Sequence, residues 1–335
     1  MVAGCAQPPQ QRVVDETIAP PTQDYSVCLV NDEQGVALLD AMKDVEADGV
    51  KVSRAAIASE ADYAVGIQSM IDQGCQLVIG RGSQSAEAIQ AAAEQNPEAT
   101  FALIDSSITS PASNVRLVTF QVHQASFLAG YIAASVSKTG VVGTFGALDI
   151  PAVTIYMDGF IAGVAQWNKN HSDHQVKAVG WDENGQSGIF VQSASSAFDD
   201  PEAGAAAAQK LIDMKADVIF PVAGKSSDGM MDQLDKSIAV IGGDRDLCAD
   251  HRDVCSSGQI LTSVIKDENK ALVELINAQR ENKTSGIFSA DLRNGGVKLA
   301  DYSDRVGSAV RAEVDQLNLQ IKDGTITISS ASAVG

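Results

Sequence analysis

From residue 25 onward, short apolar runs alternate with longer stretches in which apolar residues recur every three or four positions. The runs at 25–30, 76–80, 100–104 and 115–120 are almost continuously apolar, as in LVIG (77–80) and FALI (101–104). Strands buried on both faces read this way, because neither face meets water. Between them, 36–47, 62–73 and 85–94 carry the 3.6-residue period of amphipathic helices. Such alternation predicts parallel βαβ units and a doubly wound α/β sheet.

The pattern then restarts. Strands are predicted at 141–145, 176–181, 217–222 and 239–242, and helices at 153–167, 201–215 and 228–236. Two similar α/β halves suit a chain of 335 residues, which is long for a single core. Further short strands at 261–265 and 296–300 imply that the chain passes between the halves more than once. The division expected is a tether at 1–23, a first lobe from 24–121 with 248–285, and a second from 122–247 with 286–335.

Ligands of open α/β sheets sit beyond the C-terminal ends of the strands. With two lobes face to face, those ends converge on one cleft. They carry Asn31, Asp32 and Gln34; Arg81, Gly82 and Ser83; Asp105 and Ser106; Gly146 and Ala147; Asp182; Ala223, Gly224 and Lys225; Asp244 and Asp246. Any one of these can be only a helix cap, as Ser83 or Ser85 can before AEAIQAAAE. Gly80-Arg81-Gly82-Ser83 reads either as an anion-holding loop or, preferably, as the turn from strand to helix.

Composition narrows the function. A net charge of −19 argues against nucleic acid as a partner and against attachment to anionic lipid by charge. No apolar run is long enough to cross a bilayer. Val2-Ala3-Gly4-Cys5 has the form of a bacterial lipoprotein cleavage site, with Cys5 as the lipid-bearing residue. A polar stretch follows with Pro8, Pro9, Pro20 and Pro21, a composition that suits a tether. Cys248 and Cys255 bracket a short polar loop and form a candidate disulfide of an oxidising compartment. Cys28 and Cys75 lie in apolar, strand-like runs and read as buried thiols. No metal site is expected: there is no C-x-x-C, and His123, His171, His174 and His251 are scattered. Neither a nucleotide-binding glycine motif nor a hydrolase motif is present, so no catalytic residue and no cofactor is expected.

Seven segments, in order and spacing, carry a resemblance: FALIDSS (101–107), QVHQASFLAGYIA (121–133), VVGTFGALDIPAVTIYMDGFIAGV (141–164), FDDPEAGAAAAQKLIDMKADVIFPVAG (198–224), VIGGDRD (240–246), ILTSVIK (260–266) and LRNGGVKLADY (292–302). Over 25–328 the chain resembles the BMP (basic membrane protein) family of substrate-binding lipoproteins, which includes purine nucleoside receptors of ABC importers. The resemblance implies the type I periplasmic-binding-protein fold, with two Rossmann-like lobes joined by a three-stranded hinge. It implies a monomeric receptor, lipid-anchored on the extracytoplasmic face of the membrane, that partners an ABC permease and catalyses nothing. The family's ligand residues fall on Asp105, Phe198, Gly224, Asp244 and Lys266, with Phe198 stacked on the base and Asp244 and Lys266 either on the ribose or joined in a hinge salt bridge that touches no ligand.

One departure bears on the ligand. Nucleoside-binding members carry D-x-S-F-N after the first strand, whereas this chain reads NDEQGVALLDAMKDV, without an aromatic. Tyr156 or Trp181 would then supply the second ring, or the ligand is a sugar or polyol. The remaining alternatives are a nucleoside hydrolase using the same carboxylates, and a sensor that signals to a membrane partner.

Overall fold

A computed structural model describes residues 25–31, 38–106, 108–182, 184, 187–194, 196–231, 234–281 and 286–333. Cys5 and Asp32 lie outside the described residues. The continuous apolar runs are the central strands. Leu77–Ile79 and Phe101–Ile104 are fully buried, as are the backbone-paired residues of Val218–Val222.

The first half contains β1 (Ser26–Asn31), α1 (Leu38–Ala47), β2 (Lys51–Ala56), α2 (Tyr63–Asp72), β3 (Leu77–Arg81), α3 (Ser83–Gln95), β4 (Thr100–Ile104) and β5 (Val115–Phe120). The second contains α4 (Val122–Val136), β6 (Val141–Gly146), α5 (Pro151–Asn170), β7 (Lys177–Val179), β8 (Trp181–Asp182), β9 (Ser187–Gly188), α6 (Pro201–Asp213), β10 (Val218–Val222), α7 (Asp228–Met231) and β11 (Ala239–Asp244). There follow α8 (Leu247–Asp250), α9 (Arg252–Ser256), β12 (Ile260–Lys266), α10 (Glu268–Arg280), β13 (Ile287–Ala290), β14 (Val297–Leu299) and α11 (Ser308–Lys322).

These strands form two six-stranded sheets, ordered β13-β5-β4-β3-β1-β2 and β14-β12-β11-β10-β6-β7. All pairings in them are parallel except that of β12 with β14. The chain crosses between the sheets three times: from β5 to β6, from β12 to β13, and from β13 to β14. This is the type I periplasmic-binding-protein arrangement, with three crossings as its hinge.

The lobe boundaries differ from expectation. Residues 260–266, expected in the first lobe, are hydrogen-bonded into the second sheet beside β11. Residues 287–290, expected in the second, pair with β5 of the first. Sequence shows that a strand exists but not which sheet edge it joins, since both edges offer the same backbone groups. Three elements also differ locally. The strand expected over 176–181 breaks at Gly180, whose φ is +90°, so that Trp181–Asp182 turns to pair with β9. Of the helix expected over 228–236, Asp228–Met231 is helical and residues 234–236 are not. Edge strand β2 was not expected, because KVSRAA is half-exposed and lacks an apolar run.

α4 was missed as a helix for the opposite reason. It is buried almost all round, so it has no polar face to reveal a period. It lies directly against α5: a Cβ at Gly130, Gly159 or Gly163 would strike the backbone of the facing helix.

Among the described residues two disulfides are present. Cys248 and Cys255 are bonded, with Cα atoms 5.1 Å apart. Cys28 and Cys75, read from sequence as thiols, are bonded to each other at a Cα separation of 5.9 Å. Both are buried, as expected, but the β1–β3 pairing that makes them neighbours is a tertiary fact.

Candidate functional site

Strand ends assemble the site. Asp105 follows β4 and donates its backbone N–H to Val118 of β5, which prolongs the ladder by one residue before the chain turns. Asp244 ends β11 opposite Ile265 of β12, so Lys266 emerges next to it. A register shift between Val240 and Ile241 precedes this end, an irregularity that re-aims the last residues of a strand. β10 pairs with β11 only through Val218 and Ile219; beyond them Pro221 has no N–H to give. Asp105 and Asp244 have φ of 56° and 73°, and are two of only four described non-glycine residues with positive φ. Aspartate tolerates this left-handed region better than most residues, yet it is uncommon there and tends to mark functional positions.

Both carboxylates face one cation. Lys266 Nζ lies 2.8 and 3.0 Å from the two Asp105 oxygens and 3.3 Å from Asp244 Oδ1. The Tyr156 hydroxyl donates to the same Asp244 oxygen at 3.0 Å. The ammonium also lies over the rings of Phe120 and Tyr156, at 5.8 and 5.7 Å. Burial pulls the Lys266 ammonium down, but Asp105 and then Asp244 outweigh it and hold its pKa well above the lysine range. Lys266 in turn holds Asp244 below the usual carboxylate range. Burial pushes the Tyr156 phenol well up, and Asp244 adds to it, so this hydroxyl is a donor and not a base.

Asp105 belongs to the first sheet and Lys266, Asp244 and Tyr156 to the second lobe, so the cluster spans the seam between them. Beside it a pocket of ≈ 590 Å³, including its open mouth, is lined by Asp105, Thr119, Phe120, Pro151, Lys266 and Ser332. The Thr119 hydroxyl is buried with no partner among the described residues.

Phe198 and Gly224 meet farther along the same edge. Gly224 follows β10 with φ of +55°, and an added Cβ would lie 3.1 Å from the Phe198 carbonyl oxygen. A side chain is disfavoured there by conformation and by space. Phe198 keeps its ring 40% exposed. Trp181 is elsewhere. Its ring is buried, its indole N–H donates to Asp158 at 2.7 Å, and it lines an adjoining cavity with Asp149, Thr154 and Asp158. Of the two candidates for a second aromatic, the structure thus brings only Tyr156 to the cluster.

In the Gly80–Ser83 loop, Gly82 takes φ of +73° and α3 begins at Ser83, as the turn reading expects. Arg81 is committed to Glu268 through two bonds, of 2.9 and 2.8 Å. Asp246 and Asp200 cap α8 and α6. Glu268 and Phe120 escaped the sequence reading. Glu268 looks like an ordinary acidic residue in the first turn of a helix, and only the crossing after β12 brings it to Arg81.

Among the described residues no helix is long and apolar enough to cross a membrane, and no cluster of side chains could hold a metal ion.

The chain is 28% identical to the ABC transporter nucleoside-binding protein BmpA of Lactococcus lactis over 288 residues, covering 81% of this chain and 76% of that one. Basic membrane protein A of Borreliella burgdorferi is 27% identical over 281 residues, covering 82% and 76%. Among solved structures, an ABC transporter solute-binding protein from Aeropyrum pernix matches with a TM-score of 0.67 at 22% identity, covering 90% of this chain and 92% of that one. A transcriptional activator of the comK gene from Bacillus halodurans matches at 0.70 and 21%, covering 90% and 98%. These two likenesses are of fold. The model of the Bmp family, described as ABC transporter substrate-binding protein PnrA-like, matches residues 33–332, and the chain belongs to that family of substrate-binding proteins.

Proposed function

We propose that this substrate-binding protein is an extracytoplasmic, monomeric receptor, anchored through lipid on Cys5, that captures a nucleoside-like ligand by closing its lobes, delivers it to an ABC permease, and catalyses nothing. The observation that carries the ligand class is the pairing of two features along one sheet edge. A cation held between two carboxylates stands at the hinge, and an exposed ring over a glycine stands farther out. Adjacent ribose hydroxyls suit Asp244 and Lys266, because charge-assisted bonds are about twice as strong as neutral ones. A planar base suits Phe198. The printed function of the Lactococcus lactis relative, nucleoside binding, agrees with this.

A receptor reading also fits the titration state. Asp244 is held ionised and Tyr156 protonated, which leaves this pair without the raised carboxyl that a glycosidic general acid needs. The missing aromatic in 31–45 favours a second reading, a sugar or polyol ligand.

A thermal-shift panel separates these readings. At a hundredfold excess over Kd, a ligand stabilises by about 2.7 kcal/mol. Adenosine, inosine or guanosine should raise the melting temperature where ribose and other sugars do not. A shift by sugars alone overturns the nucleoside reading, and release of free base above the no-protein rate overturns the non-catalytic one. For the anchor, the precursor with Cys5→Ser should leave the membrane fraction; its retention there refutes lipidation.

A further inference from the structure

Residues 266 and 268 stand where the chain leaves the second sheet for the first lobe, and both side chains reach back to strand ends of the first sheet. Lys266 meets Asp105, which follows β4. Glu268 takes a two-pronged bond from Arg81, the last residue of neighbouring β3. In the β3–β4 register Arg81 lies opposite Ile104, one residue before Asp105, so the two ion pairs stand side by side. The Arg81 and Glu268 side chains are 22% and 11% exposed, and the charge of Arg81 is felt by both Asp105 and Asp244. A forked guanidinium–carboxylate bond fixes orientation as well as distance.

We infer that the Arg81–Glu268 pair is a positioning device for hydroxyl recognition: by keeping Arg81 off Asp105, it holds the Lys266 ammonium at the seam between Asp105 and Asp244. The inference rests on the nucleoside reading above. Without Glu268, a free guanidinium stands beside two carboxylates. It takes Asp105, and Lys266 loses its partner in the first lobe. Without Arg81, Glu268 is an uncompensated carboxylate two residues from Lys266 and competes for it. Either loss draws the ammonium away from the ligand's adjacent hydroxyls and leaves contacts to the base untouched.

The experiment is calorimetric titration of the full chain with inosine and with 2′,3′-dideoxyinosine, which lacks both hydroxyls. The readout is the ratio of the two dissociation constants. Wild type should favour inosine by about tenfold or more, the worth of one or two charge-assisted bonds. Glu268→Gln and Arg81→Gln should each cut that ratio by about fivefold while leaving dideoxyinosine binding within about twofold. The exchanged double variant R81E/E268R should restore most of the ratio. Arg81→Lys keeps the charge without the fork; it serves if Arg81→Gln does not fold, and its ratio should fall between the two. A purely structural pair would weaken both ligands alike or lower the melting temperature with the ratio unchanged, and either result overturns the inference. Single variants that keep the wild-type ratio overturn it too, with the nucleoside reading intact. A wild type that does not distinguish the two ligands overturns both.

Discussion

At the hinge end of the cleft, Lys266, Asp105, Asp244 and Tyr156 are joined by contacts of 2.8 to 3.3 Å, with the Lys266 side chain only 9% exposed. Farther out, beyond β10 and β6, Phe198, Leu148 and Ile150 are 40%, 43% and 38% exposed. The order β12-β11-β10-β6 within the second sheet places these two regions at successive positions along one edge. The hinge end is already tied by ion pairs and a hydrogen bond, so a ligand bound there as proposed would spend little on ordering side chains. The outer end presents apolar surface whose covering is itself favourable, at roughly 25 cal/mol per Å². On the proposed function, one region would supply orientation and selectivity, the other affinity that is tolerant of ligand detail.

The contrast can be broken most severely at Lys266. Lys266→Ala leaves Asp105 and Asp244 facing each other with no cation between them. Breaking a fully buried pair costs ~3–5 kcal/mol, and the partial exposure of these carboxylates reduces the expected loss to about 2–3 kcal/mol. Urea denaturation measures it; an unchanged midpoint would mean that the cluster does not hold the hinge end together.

Asp244→Ala tests ligand recognition at the same end. It removes a charged acceptor and leaves hydroxyls unpaired, at a cost of about 1.5–3 kcal/mol, or roughly ten- to a hundredfold in affinity for a nucleoside. Phe198→Ala probes the outer end. Loss of a stacked base costs ~1–2 kcal/mol of binding, about five- to thirtyfold, while stability changes by less than about 0.5 kcal/mol because the ring is already exposed. Titration calorimetry compares the two. Comparable losses support a nucleoside, and a loss confined to Asp244→Ala supports a sugar or polyol.

The smallest effect is on the pH profile. Asp244 is depressed by Lys266, so its contribution to stability is present above its unfolded value of 3.8 and disappears as pH falls through the lower folded one. Lys266 is raised, so its contribution is complete below its unfolded value of 10.5 and is lost as pH rises through the higher folded one. The hinge end should therefore be insensitive to pH from about 5 to 9. Asp244→Asn should flatten the acid limb of a melting-temperature profile below about pH 4, and Phe198→Ala should leave it as in wild type. An acid limb unaltered in Asp244→Asn refutes the pairing.

Much of the site was legible because strand ends are local features. Asp105, Gly224 and Asp244 each follow a recognisable apolar run, and a parallel sheet sends all such ends to one side. Tyr156 and Trp181 could not be told apart in this way. Both lie in the second lobe and both are buried, but Tyr156 donates to Asp244 and Trp181 to Asp158. Glu268 was invisible, because its partner Arg81 lies 187 positions away.

By itself the chain's pattern determined two α/β halves, parallel sheets and the edge at which the strand ends gather, since hydrophobic period and strand polarity are properties of neighbouring residues. Only the tertiary structure decided that Ile260–Lys266 joins the second sheet and Ile287–Ala290 the first, and that Cys28 meets Cys75. It alone showed Lys266 shared between carboxylates of both lobes. Sheet edges accept any strand and carboxylates accept any cation, so these choices rest on which segments the three crossings bring together in space.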